Sequence, residues 1–220
     1  MMPEVLYEDN HLLVINKPAG LLAQEDATGD PDVLTICKQY LKEKYAKPGA
    51  VFLGLVHRLD RPASGVMVLA RTSKAASRLS EQIRSRTIEK TYWILVEGKV
   101  SGHGTCEDYL LKENNFVRLV DGSQARAQLA RLSWKSLKVF SRDSLLEVAL
   151  ETGRPHQIRV QFSARNMPVC GDLKYGAKTP LSDRSIALHC RAMTFKHPTQ
   201  EQLLSITAPA PRIWGLALDE

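Results

Sequence analysis

The residues best suited to chemistry are concentrated in His57-Arg58-Leu59-Asp60-Arg61-Pro62-Ala63-Ser64-Gly65. An aspartate closes an apolar run, an arginine stands close on either side, and proline and glycine follow. Proline restricts the backbone before it and glycine permits a tight return, so the spacing predicts a carboxylate projecting from a rigid strand end into a cleft. Such a group can act as a nucleophile or as a base. The spacing fits a plainer use better: an Asp that stabilises its own turn or pairs with Arg58 or Arg61.

A second segment is Glu151-Thr152-Gly153-Arg154-Pro155-His156-Gln157-Ile158-Arg159. From Thr152 through Gly171 there is no acidic residue, while Arg154, Arg159 and Arg165 fall inside. A helix is predicted over 154–165 with Pro155 at its first position, and Ile158 and Phe162 would anchor its inner face. Amides at its start and arginines along it favour phosphate; a solvated basic face is the commoner fate of such arginines. The third segment is Glu89-Lys90-Thr91-Tyr92-Trp93, where strand alternation puts Lys90, Tyr92 and Ile94 on one side. Tyr92 fits either a core tyrosine or an aromatic that stacks on an extruded base.

The elements that must position these groups follow from pattern. Leu12–Ile15 reads as a buried strand ended by the turn chemistry of Asn16-Lys17-Pro18-Ala19-Gly20. Helices are predicted at 33–46, with Val33, Ile36, Tyr40 and Leu41 on the inner face, and at about 73–85, with Ser73 as N-cap. Strands are expected at 51–59, 66–71, 88–97, 186–196 and 202–207, and an antiparallel meander at 105–151. The pattern predicts an α+β fold with a mixed, mainly antiparallel sheet flanked by helices, as one domain over residues 1–220.

The chain as a whole sets bounds on function. A net charge of +6 and a pI near 9.2 give a mild attraction for polyanions. Cys37, Cys106, Cys170 and Cys190 show no C-x-x-C spacing and read as small hydrophobes. The six histidines make no i, i+4 pair, and no glycine-rich phosphate loop occurs, so neither a metal nor a cofactor is expected. No run reaches membrane-spanning length and Met1-Met2-Pro3-Glu4 lacks signal-peptide character, so a cytoplasmic protein is expected.

Taken in order, these segments resemble the RluA-type family of pseudouridine synthases. Asn16-Lys17-Pro18-Ala19-Gly20-Leu21 is similar to its opening motif, and His57-Arg58-Leu59-Asp60 with Ser64-Gly65 to its catalytic motif. Lys90-Thr91-Tyr92 resembles the motif supplying an active-site tyrosine. Thr152-Gly153-Arg154 with His156-Gln157-Ile158-Arg159 resembles the motif whose last arginine pairs with the catalytic aspartate. Gly171-Asp172, Tyr175-Gly176, Leu188-His189 and Phe195-Lys196-His197-Pro198 extend the likeness, which runs from about residue 5 to 210. It departs at Ala63, where threonine is usual, and at Gln161, where histidine is usual.

The resemblance implies a cofactor-free isomerase that breaks the bond from ribose C1′ to uracil N1 and rejoins C1′ to C5. Its catalytic residues would be Asp60, Tyr92 and Arg159, with Arg58, Arg154, His156, Gln157 and Leu188 binding substrate. The target uridine would be flipped out of its stack. The partner would be ribosomal or transfer RNA, held by a monomer without a small amino-terminal RNA-binding domain. Two other classes stay open on residues alone: an RNA-binding protein in which Asp60 is structural, and a hydrolase of a phosphorylated or glycosidic small molecule.

Overall fold

The computed structural model describes residues 1–215. In chain order its elements are β1 (Glu4–Glu8), β2 (Leu12–Lys17), α1 (Val33–Lys44), β3 (Gly54–Leu55), β4 (Ser64–Ala70), α2 (Ser73–Arg84), β5 (Glu89–Glu97), β6 (His103–Glu113), β7 (Phe116–Val120), β8 (Gln128–Val139), β9 (Asp143–Leu150), α3 (Gln157–Ser163), β10 (Leu188–Lys196) and β11 (Leu203–Thr207). They fall into two compact units, Met1–Ile88 with the chain from Cys190 onward, and Glu89–His189. No linker marks the boundaries; β5 begins directly after Ile88, and β10 runs across Cys190.

In the first unit β2 lies between β1 and β4, antiparallel to both, and β11 pairs antiparallel with β10. Both faces of β2 and β4 are covered, which explains their unbroken apolar runs. Leu13, Ile15, Met67 and Leu69 pack with Val33, Cys37 and Leu41 of α1. The buried stripe of α1 is therefore centred on Cys37, while the expected Ile36 and Tyr40 are half-buried at its edge. Asp32 caps this helix by accepting from the Thr35 amide. In α2 the cap is Thr72, whose hydroxyl accepts from the Ala75 amide; Ser73, the expected cap, is the first helical residue.

The second unit is an antiparallel sheet in the order β5-β9-β8-β6-β7; the strands expected over 105–151 are present, but β8 pairs with β6 rather than with β7, so they do not form the simple meander expected. Short α3 covers part of it, with Val160 in a cluster with Leu110, Val117, Ala130 and Tyr175. The expected helix over 154–165 is trimmed at both ends. His156 sits in the left-handed region at φ 51°, so helical geometry begins only at Gln157. Asn166 is left-handed at φ 59°, and Met167 donates to the Phe162 carbonyl, a turn that closes the helix.

All four cysteines are buried, and none is in a disulfide. Among the described residues no group of His, Cys, Asp and Glu could hold a metal ion. Among the described residues no helix is long and apolar enough to cross a membrane.

Candidate active site

Asp60 does not end a strand as expected. Strand β3 is only two residues long, pairing Gly54 with Ala70 and Leu55 with Leu69. The reason is His57: its Nε2 accepts the Val68 amide at 2.9 Å, so a side chain takes the place of the next ladder bond. A neutral His57 therefore carries its proton on Nδ1. Released from the ladder, the chain turns, and the Ala63 amide donates to the Asp60 carbonyl at 3.1 Å. Asp60 is half-buried at the first corner of this turn, and Arg58 is exposed.

A lysine fastens the turn. Lys17 is the last residue of β2, on the same side as Leu13 and Ile15, and is 0% exposed. Its Nζ donates to three backbone carbonyls: Ala63 at 2.8 Å, Pro18 at 3.0 Å and Arg61 at 3.3 Å. Three acceptors match the three protons of an ammonium. Burial pulls its pKa down from 10.5 to about 7, the negative charge of Asp60 opposes that fall, and Arg61 adds to it. A second clasp is reciprocal: the Gly20 amide donates to the Arg61 carbonyl at 2.8 Å, and Arg61 Nε donates to the Gly20 carbonyl at 3.0 Å. Arg61 also reaches Asp30 at 2.7 Å. The opening motif and the Asp60 turn are thus one fastened body.

Gly65 sets how the turn enters β4. Its φ is +116°, and a Cβ there would stand 2.3 Å from the Cys190 carbonyl oxygen. Only glycine allows that approach.

In the other unit, Arg159 is 5% exposed and forms a two-pronged ion pair with Asp172, which is 1% exposed. Nε meets Oδ2 at 2.6 Å and Nη2 meets Oδ1 at 2.8 Å. The guanidinium also stacks over the Tyr175 ring, 4.9 Å from its centre. The Tyr175 hydroxyl accepts the Val117 amide at 3.0 Å and lies 2.7 Å from His156 Nδ1. Asp172 and Tyr175 were visible in the sequence only as family-like Gly171-Asp172 and Tyr175-Gly176; nothing in their spacing assigned them to Arg159.

The remaining expected contacts divide. Gln157 is buried, its carboxamide oxygen accepting from the Thr152 hydroxyl at 2.8 Å and the Arg154 amide at 3.0 Å. Its nitrogen donates to the Arg131 carbonyl at 3.0 Å, so Gln157 braces the loop before α3. Arg154 donates through Nε to the Leu129 carbonyl at 3.0 Å. The stretch free of acids is not a free basic face. Arg159 finds Asp172, and Arg165 finds Asp108 at 3.0 Å, an acid 57 residues earlier. Gln161 is fully buried and donates to Asp108 at 2.7 Å, and its Oε1 has no hydrogen-bond partner. Tyr92 is buried in β5 opposite Val148, and Leu188 is buried at the start of β10.

A family model described as RNA pseudouridylate synthase matches residues 11–164. The chain belongs to this family, whose members are isomerases acting on RNA. It is 34% identical over 221 residues to ribosomal large subunit pseudouridine synthase D of Xylella fastidiosa, covering 94% of this chain and 66% of that protein. It is 33% identical over 212 residues to the uncharacterized RNA pseudouridine synthase YhcT of Bacillus subtilis, covering 94% and 68%. The chain spans about two thirds of the length of these curated relatives. Among solved structures, human RNA pseudouridylate synthase domain containing 4 superimposes with a TM-score of 0.79 at 25% identity, over 96% of this chain and 90% of that one. The human domain containing 1 shares the fold, with a TM-score of 0.73 at 23% identity. The family resemblance read from the motifs and the expected α+β class both hold.

Proposed function

We propose that this protein isomerises uridine to pseudouridine in ribosomal RNA, using Asp60 as the essential carboxylate and no cofactor. Ribosomal RNA is preferred over transfer RNA because relatives such as the Xylella and Pseudomonas aeruginosa proteins carry ribosomal large subunit names. In this reading the enzyme works as a monomer in the cytoplasm.

The supporting observation is the Lys17 clasp. A buried ammonium that holds the carbonyls of Arg61 and Ala63 fixes the backbone that carries Asp60. A fixed backbone keeps a reacting oxygen within the narrow range of positions that catalysis rewards. The same ammonium lies close enough to Asp60 for the two charges to interact.

Asp60 then serves one of two routes. Its oxygen attacks C1′ as the C1′–N1 pair of electrons leaves with uracil, or it takes the C2′ proton and a glycal forms. In the first route C5 of the turned base displaces the carboxylate oxygen from C1′; in the second C5 bonds to C1′ as the C2′ proton is returned. The C5 proton is then lost and N1 gains one, so the RNA keeps its composition. Arg159 serves as the orienting cation of the reaction, its guanidinium held by Asp172 and Tyr175. Tyr92 stacks on the flipped uracil, with Leu188 beneath it. Arg58 and His156 contact the surrounding strand.

The test is pseudouridine content of a ribosomal RNA transcript after incubation with wild type and Asp60→Asn. The wild type should form product, and the variant should bind the RNA and form none. Turnover by Asp60→Asn at a rate near wild type would overturn the assignment.

A further inference from the structure

A cavity of about 240 Å³ lies within the second unit, away from the groups assigned above except Arg154. Register explains why it exists. β6 pairs with β8 only as far as Leu110, opposite Gln128, but continues beside β7 to Glu113, opposite Phe116. Past Leu110 the ladder to β8 stops, because the chain between β7 and β8 turns away at 121–127. The loop before α3 supplies Arg154 and Pro155 to the opening that results.

The walls are of two kinds. Leu110, Val117 and Pro155 give an apolar floor; Lys112, Arg126 and Arg154 give a cationic rim. Gln128, which can both donate and accept, also lines it. No carboxylate lines the cavity, and among the described residues none of the three cations is ion-paired. Glu113 lies close enough to Arg126 to feel its charge, but both its oxygens are taken by Arg118 at 2.8 and 2.9 Å. Arg154 is braced by the Leu129 carbonyl, so its position is fixed from within. At about 30 Å³ per water the space holds roughly eight waters, comparable with one planar base.

We propose that this cavity receives a second nucleotide of the RNA substrate, its base against the apolar floor and its phosphate at the cationic rim. This rests on the RNA reading above and extends it: the protein would grip the strand at a point apart from the uridine it converts. Cations beside an apolar slot are what a nucleotide's two halves require, as in other single-strand binding surfaces. Gln128 would favour a base with both a donor and an acceptor on its edge.

The test is the double variant K112A/R126A, whose two side chains are exposed and should leave the thermal midpoint unchanged. The control is K99A/K178A, which removes the same charge from exposed positions of the same unit. RNA affinity is measured across a salt series, with pseudouridine formation scored on the same transcript. K112A/R126A should weaken binding about tenfold near 0.15 M salt and flatten the plot of log affinity against log salt by about one, with the control within twofold of wild type. Equal losses in both doubles, or none in either, would overturn the proposal. So would a cavity that serves free mononucleotide: uridine monophosphate alone would stabilise wild type but not K112A/R126A, with RNA affinity equal in the two. If wild type forms no pseudouridine yet the affinity loss appears, the isomerase reading fails and the nucleotide cavity stands.

Discussion

Two segments carry the proposed chemistry, and they are held by opposite means. The Asp60 turn is fixed through its backbone: Lys17 bonds three carbonyls, Gly20 and Arg61 exchange bonds, and Gly65 lets β4 approach Cys190 closely. The Arg159 segment is fixed through side chains, by Asp172, Tyr175 and the Gln157 carboxamide. A short carboxylate follows wherever its main chain goes, so anchoring the main chain suffices. A long guanidinium with several rotatable bonds must be held at its far end.

Substitutions can break that contrast in order of expected effect. Gly65→Ala should be the most damaging, because its methyl would overlap Cys190 backbone at a φ that side chains avoid; about 4 kcal/mol or more of stability should go, read by denaturant unfolding. Asp172→Ala strands a buried guanidinium and should cost about 3–5 kcal/mol. Adding Arg159→Met to it should restore most of that stability without restoring pseudouridine formation. Recovery of both would mean that Arg159 serves folding alone.

Lys17→Met removes three donated bonds at once; the Arg61 carbonyl keeps the Gly20 amide, so the cost should be roughly 1–3 kcal/mol for each of the other two. It also sharpens the contrast through pH. Because burial lowers the Lys17 pKa to about 7, the folded state gives up its proton before the unfolded chain does. Between about pH 7 and 10.5 the unfolded chain binds more protons, so this group makes stability rise with pH by up to about 1.4 kcal/mol per unit. Below pH 7 both states are protonated and its contribution is flat. Unfolding curves of Lys17→Met should lack that rise; an unchanged slope would show that Lys17 does not titrate there. The smallest effect is Thr72→Ala, a loss of about 1 kcal/mol from the α2 cap that should leave RNA modification intact.

Much of this was legible in the sequence. Alternation located β5 and the antiparallel strands of 105–151, though not their order, and the helical stripes located α1 and α2 to within a residue or two. What escaped depended on groups acting across long sequence distances. β3 is cut short by the His57 imidazole, and nothing in a run of apolar residues announces that a side chain will displace a backbone partner. α3 starts late because His156 takes a left-handed conformation that Tyr175 helps to hold. The acid-free stretch at 152–171 suggested open arginines, yet Asp108 and Asp172 reach two of them. Strand β1 was missed outright; its five residues carry no alternating pattern of burial. Lys17 could have been found, since alternation from Leu13 and Ile15 puts it on the core side of β2.

The four enclosed thiols give the molecule an internal clock for breathing. Cys37 and Cys190 lie in one unit, Cys106 and Cys170 in the other. Burial pushes Cys37 up to about 12 and raises Cys106 and Cys170 as well, so in the closed protein these groups stay protonated and inert. A thiol reagent can capture them only during moments of local opening, and the rate of labelling at each position reads how often its surroundings part. Adding RNA during such labelling would report which half of the chain tightens around its strand, with no foreign probe attached.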